Sequence, residues 1–187
     1  MRRVVAYMLV SLDGVAQDPD EFVLDWDEAM DADLADVIGS QTTVLLGRGM
    51  HDEWARFWPS SDIQPFADFI NSVEKLVATS SALPGTWPHA HAIEGDVLSA
   101  VEALRDGEGG DIGLHGSLTL TASLLAAGLV DDLRLVVAPR VAGAGRRLVP
   151  EGTPPFSLEL VSSAATPSGS LLVHYRVARH ATGSSVS

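Results

Sequence analysis

Apolar positions along the chain fall into short runs rich in β-branched residues, and these runs predict buried strands. Val4–Val10, Thr42–Leu46, Lys75–Ala78, Asp111–Leu114, Leu133–Ala138 and Leu171–Val177 all fit, because a strand covered on both faces shows a near-continuous hydrophobic run. The segments between them carry helical spacing. Asp27–Ile38 sets Ala29, Ala32, Leu34, Ala35 and Ile38 near one stripe, and Pro65–Val73 and Asp96–Leu104 are helix-like. Ser117–Ala127 predicts a helix capped by Ser117 and ended by Gly128. From Leu133 onward only strands and turns are read, broken at Gly143-Ala144-Gly145, Pro154-Pro155 and Pro167-Ser168-Gly169. Alternation followed by a strand-only end predicts an α/β sandwich, parallel in the middle and antiparallel at its end.

A length of 187 residues suits one sizeable domain and is short for two. The expected domain spans 1–180, with the small, polar residues 181–187 read as a disordered tail. No run approaches the ~20 apolar residues of a membrane span. Two arginines before Val4–Val10 mimic a signal peptide, but Ser11-Leu12-Asp13-Gly14 reads better as a strand end and turn. A first strand of a cytoplasmic protein is expected.

Charge narrows the partners. Twelve Lys+Arg against 25 Asp+Glu leave −13, a field that repels a phosphate backbone, so no nucleic-acid partner is expected. Ten carboxylates lie from Asp13 to Asp36 with no Lys or Arg among them, whereas Arg134, Arg140, Arg146 and Arg147 fall late. The absence of cysteine excludes disulfides, thiolate metal sites and Cys nucleophiles.

Candidate chemistry gathers at three strand-to-helix junctions. In Thr42-Thr-Val-Leu-Leu-Gly47-Arg48-Gly49-Met50 a strand ends at a glycine and a helix opens near Met50. Free N–H groups at a helix start bind anions and Arg48 adds a cation, though the tripeptide equally suits a plain turn. Lys75-Leu-Val-Ala-Thr79-Ser80-Ser81 ends in three hydroxyls that either meet a phosphate or cap the next turn. Gly109-Gly110-Asp-Ile-Gly-Leu-His115-Gly116-Ser117-Leu118-Thr119 runs into a third helix start, without a Gly-x-Gly-x-x-Gly or phosphate-loop pattern. In open α/β sheets ligands bind beyond the carboxyl ends of strands, where all three junctions lie, and together they suit an extended polyanion such as a dinucleotide.

The ordered set Ser11-Leu12-Asp13-Gly14, Leu46-Gly47-Arg48, Leu114-His115-Gly116-Ser117, Ala127-Gly128-Leu129-Val130-Asp131-Asp132 and Pro139 to Leu148 with Gly143-x-Gly145 resembles the dihydrofolate reductase superfamily. It is more similar to the reductase domain of the bifunctional riboflavin-pathway deaminase/reductase. The resemblance implies a three-layer α/β/α fold, with a mixed, mostly parallel sheet of about eight strands, a C-terminal antiparallel hairpin and NADPH as hydride donor. By position it implies that Gly47, Arg48, Gly49 and Met50 meet the pyrophosphate and adenosine phosphate. Thr79, Ser80 and Ser81 would face the adenosine ribose and its 2′-phosphate, a Ser/Arg pairing that favours NADPH over NADH. His115, Gly116, Ser117, Leu118 and Thr119 would hold the pyrophosphate, and Ala6 and the Asp13-Gly14-Val15 turn would approach the nicotinamide.

Hydride transfer also needs a proton. Asp33, in an Ala-Asp-Leu-Ala context on the first helix, is the first candidate and Asp13 the second, against a bland reading of that acid-rich helix as a solvated face. The riboflavin-pathway reductase typically carries a Lys where this chain has Tyr7, and a phenol does not neutralise a ribose phosphate as an ammonium does. The partner deaminase motif, which needs cysteines, is missing. Tyr7, Trp54 and Trp58, with Phe57 and Phe22, are candidates to line a pocket for a flat heterocycle, although core packing is the commoner fate of aromatics. His89-x-His91 lacks evident carboxylate partners, so no metal is expected. Gly143-Ala-Gly-Arg146-Arg147 has the composition of an anion loop, but the resemblance places it on a late hairpin, where a structural turn is expected.

The resulting expectation is an NADPH-dependent reductase of a small planar heterocycle. Its nearest activity is 5-amino-6-(5-phosphoribosylamino)uracil reductase. The alternatives are a non-catalytic nucleotide-binding or regulatory protein on the same fold, or a flavin-binding redox partner that would purify yellow. A homodimer is implied by the resemblance, with contacts expected from Leu133–Ala138 and the Pro139–Leu148 stretch.

Overall fold

The computed structural model describes residues 1–178. The tail expected at 181–187 lies outside the described residues. One eight-stranded sheet runs in the order β4-β3-β2-β5-β1-β6-β8-β7. Its strands are β1 (Val4–Val10), β2 (Gln41–Gly47), β3 (Glu74–Ala78), β4 (Ala90–Ala92), β5 (Asp111–His115), β6 (Asp132–Val137), β7 (Leu158–Ala165) and β8 (Leu171–Val177). The first six are mutually parallel, and β8 and β7 add antiparallel. The mixed sheet and C-terminal hairpin stand as the sequence predicts.

Helices cover both faces. On one lie α1 (Glu28–Gly39), α2 (Arg48–Phe57) and α3 (Phe66–Ser72), and on the other α4 (Val97–Asp106) and α5 (Leu118–Ala126). β1 shows why its sequence is apolar throughout. Val4, Ala6, Met8 and Val10 join the core under α4 and α5, while Val5 and Tyr7 join the core under α1–α3. Asp27 and Asp96 start α1 and α4 by accepting N–H bonds from Ala29 and Met30, and from Ser99. These caps fix the starts of α1 and α4, and four helices sit within a residue or two of the predicted ranges.

Two expectations change. α2 opens at Arg48 rather than Met50. Residues 139–149 form no hairpin: they run as a loop over the turn that follows β1, joined to it by a bridge between Val15 and Arg147 and by backbone hydrogen bonds from Leu12 to the Arg140 carbonyl, from Ala16 to the Arg146 carbonyl and from Leu148 to the Gly14 carbonyl. Leu133–Ala138 offers no free strand edge to a second copy, because β6 lies inside the sheet between β1 and β8. The edge on that side is β7, and all eight of its residues are exposed.

Candidate functional site

Adjacent strands β2 and β5 end side by side, and each feeds a helix whose N-terminus has no side-chain cap. Gly47 is the N-cap of α2 and offers no side chain. Ser117 is the N-cap of α5 but does not cap it, contrary to the sequence reading. Its hydroxyl instead accepts the Gly47 N–H at 2.9 Å, tying the two strand ends together. Their first-turn N–H groups therefore face the sheet edge without a side-chain acceptor, as an anion site requires. Gly116 adopts φ +73°, where a Cβ would come within 2.8 Å of the Met50 Cε.

Arg48 carries the charge at this edge. Its Nε donates to Asp52 at 2.7 Å, and its Nη1 donates to the Ser81 hydroxyl at 2.6 Å, the Ala82 carbonyl at 3.1 Å and the Thr79 hydroxyl at 3.5 Å. The sequence set Arg48, Thr79 and Ser81 at separate junctions, and the fold brings them into one cluster. Ser80 is exposed beside it. A cleft of about 320 Å³ opens here between Arg48, Asp52 and Arg56 on α2 and Pro84 and Thr86 on the following loop.

Behind the strand ends stands an aromatic wall. Tyr7 lies 6.1 Å from His115, His115 5.2 Å from Phe66, and Phe66 5.5 Å from Trp54 and 4.9 Å from Trp58. Tyr7, Trp54 and Trp58 thus belong to one contiguous cluster. Phe66, which joins them, escaped the sequence reading. Phe57 is half exposed at its margin, while Phe22 packs elsewhere with Val15 and Ala138. The His115 side chain turns inward, its Nε2 2.8 Å from the Gln41 Oε1. A Cβ at residue 113 would overlap that oxygen, so glycine there makes room for the pair. Burial pulls His115 down to about 3, which keeps the ring neutral. Only its backbone remains for a ligand, and the same holds for the fully buried Ala6.

The candidate acids separate. Asp33 on α1 forms an ion pair with Arg134 of β6, and Asp36 lies 3.4 Å from the same guanidinium. Both groups act on Tyr7, whose phenol is raised first by burial and then by the Asp33 carboxylate, with Arg134 opposing. The Tyr7 hydroxyl is buried, with the Asp33 carboxylate beside it. Arg134 is thus an unforeseen member of the site, although Asp132-Leu-Arg134 places two charges on one face of a strand.

Asp13 behaves differently. It accepts from the Ser11 hydroxyl at 2.6 Å and from the Ala142 and Gly143 N–H groups at 2.9 Å each. The Ser11 hydroxyl and these two N–H groups hold it down at about 2. A carboxylate so engaged is a latch between the loop after β1 and the loop after β6, and it holds no proton to give at neutral pH. Gly14 at φ +82° and the buried Val15 belong to this latched turn. Among the described residues no group of three His, Asp or Glu is placed to hold a metal, and no helix is long and apolar enough to cross a membrane.

The RibD C-terminal domain family matches residues 2–172, and the chain belongs to that family. An uncharacterized protein of Bacillus subtilis (strain 168), YyaP, is 28% identical over 183 residues, covering 93% of this chain and 94% of that one. The fold is similar to that of a putative riboflavin biosynthesis protein from Shewanella sp. PV-4, with TM-score 0.74, 16% identity, and 95% and 99% of the two chains covered. A pyrimidine reductase-like protein from Corynebacterium diphtheriae superposes with TM-score 0.66 at 15% identity, over 95% and 92% of the chains.

Proposed function

We propose, with membership of the RibD C-terminal domain family as the premise, that this chain is a cytoplasmic NADPH-dependent reductase of a small planar heterocycle. The observation that carries the reading is the pair of uncapped helix starts on adjacent strands beside Arg48, Thr79 and Ser81. The donor set fits a dinucleotide. First-turn N–H groups of α2 and α5 suit a pyrophosphate. Arg48, whose Nη2 makes no hydrogen bond, would take a 2′-phosphate together with the Thr79 and Ser81 hydroxyls. NADPH supplies a hydride when bound.

The protein's own residues would do the rest. The latched turn Asp13-Gly14-Val15 closes the sheet edge over β1. The aromatic wall from Tyr7 to Trp58 excludes water and gives a flat ring a surface to lie on. Asp33, held by Arg134 beside the Tyr7 hydroxyl, is our assignment for the carboxylate that orients a solvent-derived proton toward the reduced acceptor. Tyr7 in place of a cation weakens the case for a phosphoribosyl pyrimidine in that pocket. A homodimer through the edge strand β7 belongs to the same reading, supported by exposed Leu158, Leu160 and Val161, as does a single domain spanning 1–180.

The test is a thermal-shift titration with NADPH, with NADH and Arg48→Ala as controls. At about a hundred times its dissociation constant a ligand adds roughly 2.7 kcal/mol. The expected result is stabilisation by NADPH, a smaller effect of NADH, and a blunted response of the variant. Equal shifts in wild type and variant would remove Arg48 from the site, and no shift with either nucleotide would leave the non-catalytic reading.

A further inference from the structure

The Arg48 guanidinium is already shared among protein groups. Its Nη1 donates to Ser81, Ala82 and Thr79, and its Nε donates to the Asp52 Oδ2 at 2.7 Å, so Nη2 is the one nitrogen without a partner. Asp52 stands one turn after Arg48 on α2, and Arg56 one turn further, so the cleft beside them presents cation, anion and cation along a single helix face. We propose that Asp52 is a specificity-determining residue of this site: its carboxylate stands against the 2′-phosphate of a bound dinucleotide and narrows the preference for NADPH over NADH. The inference rests on the reading of Arg48, Thr79 and Ser81 as the 2′-phosphate site.

A guanidinium holds a phosphate best through two parallel N–H groups of one edge. The Arg48 edge made of Nη1 and Nη2 is half taken by the Ser81 hydroxyl and the Ala82 carbonyl. The edge made of Nε and Nη2 is half taken by Asp52. A 2′-phosphate therefore meets Nη2 alone, with a carboxylate oxygen as its neighbour on the adjoining N–H. Arg56 is turned the same way: its Nε donates to the Asp52 carbonyl at 2.7 Å, and its guanidinium lines the cleft. The Asp52 charge thus cancels one of the two positive charges on this helix face.

Asp52 is also kept from swinging aside. Its second oxygen, Oδ1, lies 2.9 Å from the His51 Nδ1, and the His51 ring is enclosed and packs against Trp87. A carboxylate only accepts, so Nδ1 carries the hydrogen of that bond. His51 clamps Asp52 from the protein side while Arg48 holds it from the cleft side. These two donors, His51 first, keep the carboxyl below its ordinary range, so the charge persists at neutral pH. The Arg48 and Asp52 side chains are 35% and 34% exposed, so water and salt weaken the repulsion of a phosphate without abolishing it.

The test is calorimetric titration of the wild type, Asp52→Asn and Glu53→Gln with NADPH and with NADH, which differ only in the 2′-phosphate. Asparagine keeps an oxygen for the Arg48 Nε–H and the shape of aspartate, and loses only the charge. Asp52→Asn should tighten NADPH about fivefold, the effect of one contacting pair of unit charges in water, and leave NADH unchanged. The gain should shrink as salt is added. Glu53→Gln removes the same charge from an exposed position of α2 outside the cleft and should alter neither nucleotide. An unchanged or weakened NADPH affinity in Asp52→Asn, an equal gain for NADH, or a gain matched by Glu53→Gln would each overturn the proposal. A wild type that binds NADPH while Asp52→Asn binds it no better loses this inference and keeps the cofactor site. A wild type that binds neither nucleotide loses the reductase reading, and the inference with it.

Discussion

His115 shows what a single side chain contributes when it points away from the sheet edge it marks. It is fully enclosed, hydrogen-bonded to Gln41, and neutral because burial lowers it to about 3. In the unfolded chain a histidine takes up a proton near pH 6.5, so below that pH the unfolded state binds more protons and the fold loses stability as pH falls. We expect the denaturant midpoint of the wild type to drop between pH 6.5 and pH 5. His115→Gln, which keeps a polar partner for Gln41 and cannot titrate, should flatten that slope. An unchanged slope in the variant would place the pH sensitivity elsewhere. Sequence placed His115 at the ligand edge because the junction is legible. Which way the ring turns was not, since it depends on the absent Cβ of Gly113 and on Gln41, 74 positions away. Arg134 was missed for the same reason, as its partner Asp33 is 101 residues distant.

Elements that carry their own caps were legible in the chain, and elements defined by their neighbours were not. α1 and α4 announce themselves through Asp27 and Asp96. β4 has three residues and exists because Lys75 to Val77 pair with it, and no pattern of apolar positions marks so short a strand. β7 lies exposed along its whole length, so it lacks the buried alternation that sets strand bounds. Lys75 illustrates how one strand residue serves a neighbouring helix. Its fully buried Nζ donates to the Ile70 carbonyl at 2.8 Å and the Val73 carbonyl at 2.7 Å, closing the end of α3, and lies 4.8 Å from the Trp87 ring. Lys75→Met should cost about 2 kcal/mol in chemical denaturation, because two buried carbonyls lose their donor. Burial lowers Lys75 to about 8, so the unfolded chain holds the extra proton between there and its ordinary value near 10.4. Wild-type stability should therefore rise with pH across that window, and the Met variant should lack this rise.

At the scale of the whole molecule the sheet has one closed and one open side. β4 ends one edge with three residues, whereas β7 offers eight exposed ones, among them Leu158, Leu160 and Val161. An edge of that length and character invites a second copy. Sedimentation of the wild type should give a dimer, and Leu160→Lys should shift it toward monomer with NADPH binding retained. A monomeric wild type would end the dimer reading without touching the cofactor site.

The position of β1 has a further consequence, for the order in which the protein can be made. β1 lies fifth in the sheet, and its two neighbours, β5 and β6, begin at residues 111 and 132. The turn that follows it is fastened to Ala142, Gly143 and Arg146. Until residues beyond 110 are made, the chain holds a central strand with neither flank present and a site loop with nothing to latch onto. Such long-range closure slows folding and leaves apolar strands uncovered during synthesis. The same wiring makes the candidate site all-or-none, with its floor and its rim completed by residues from opposite ends of the described chain.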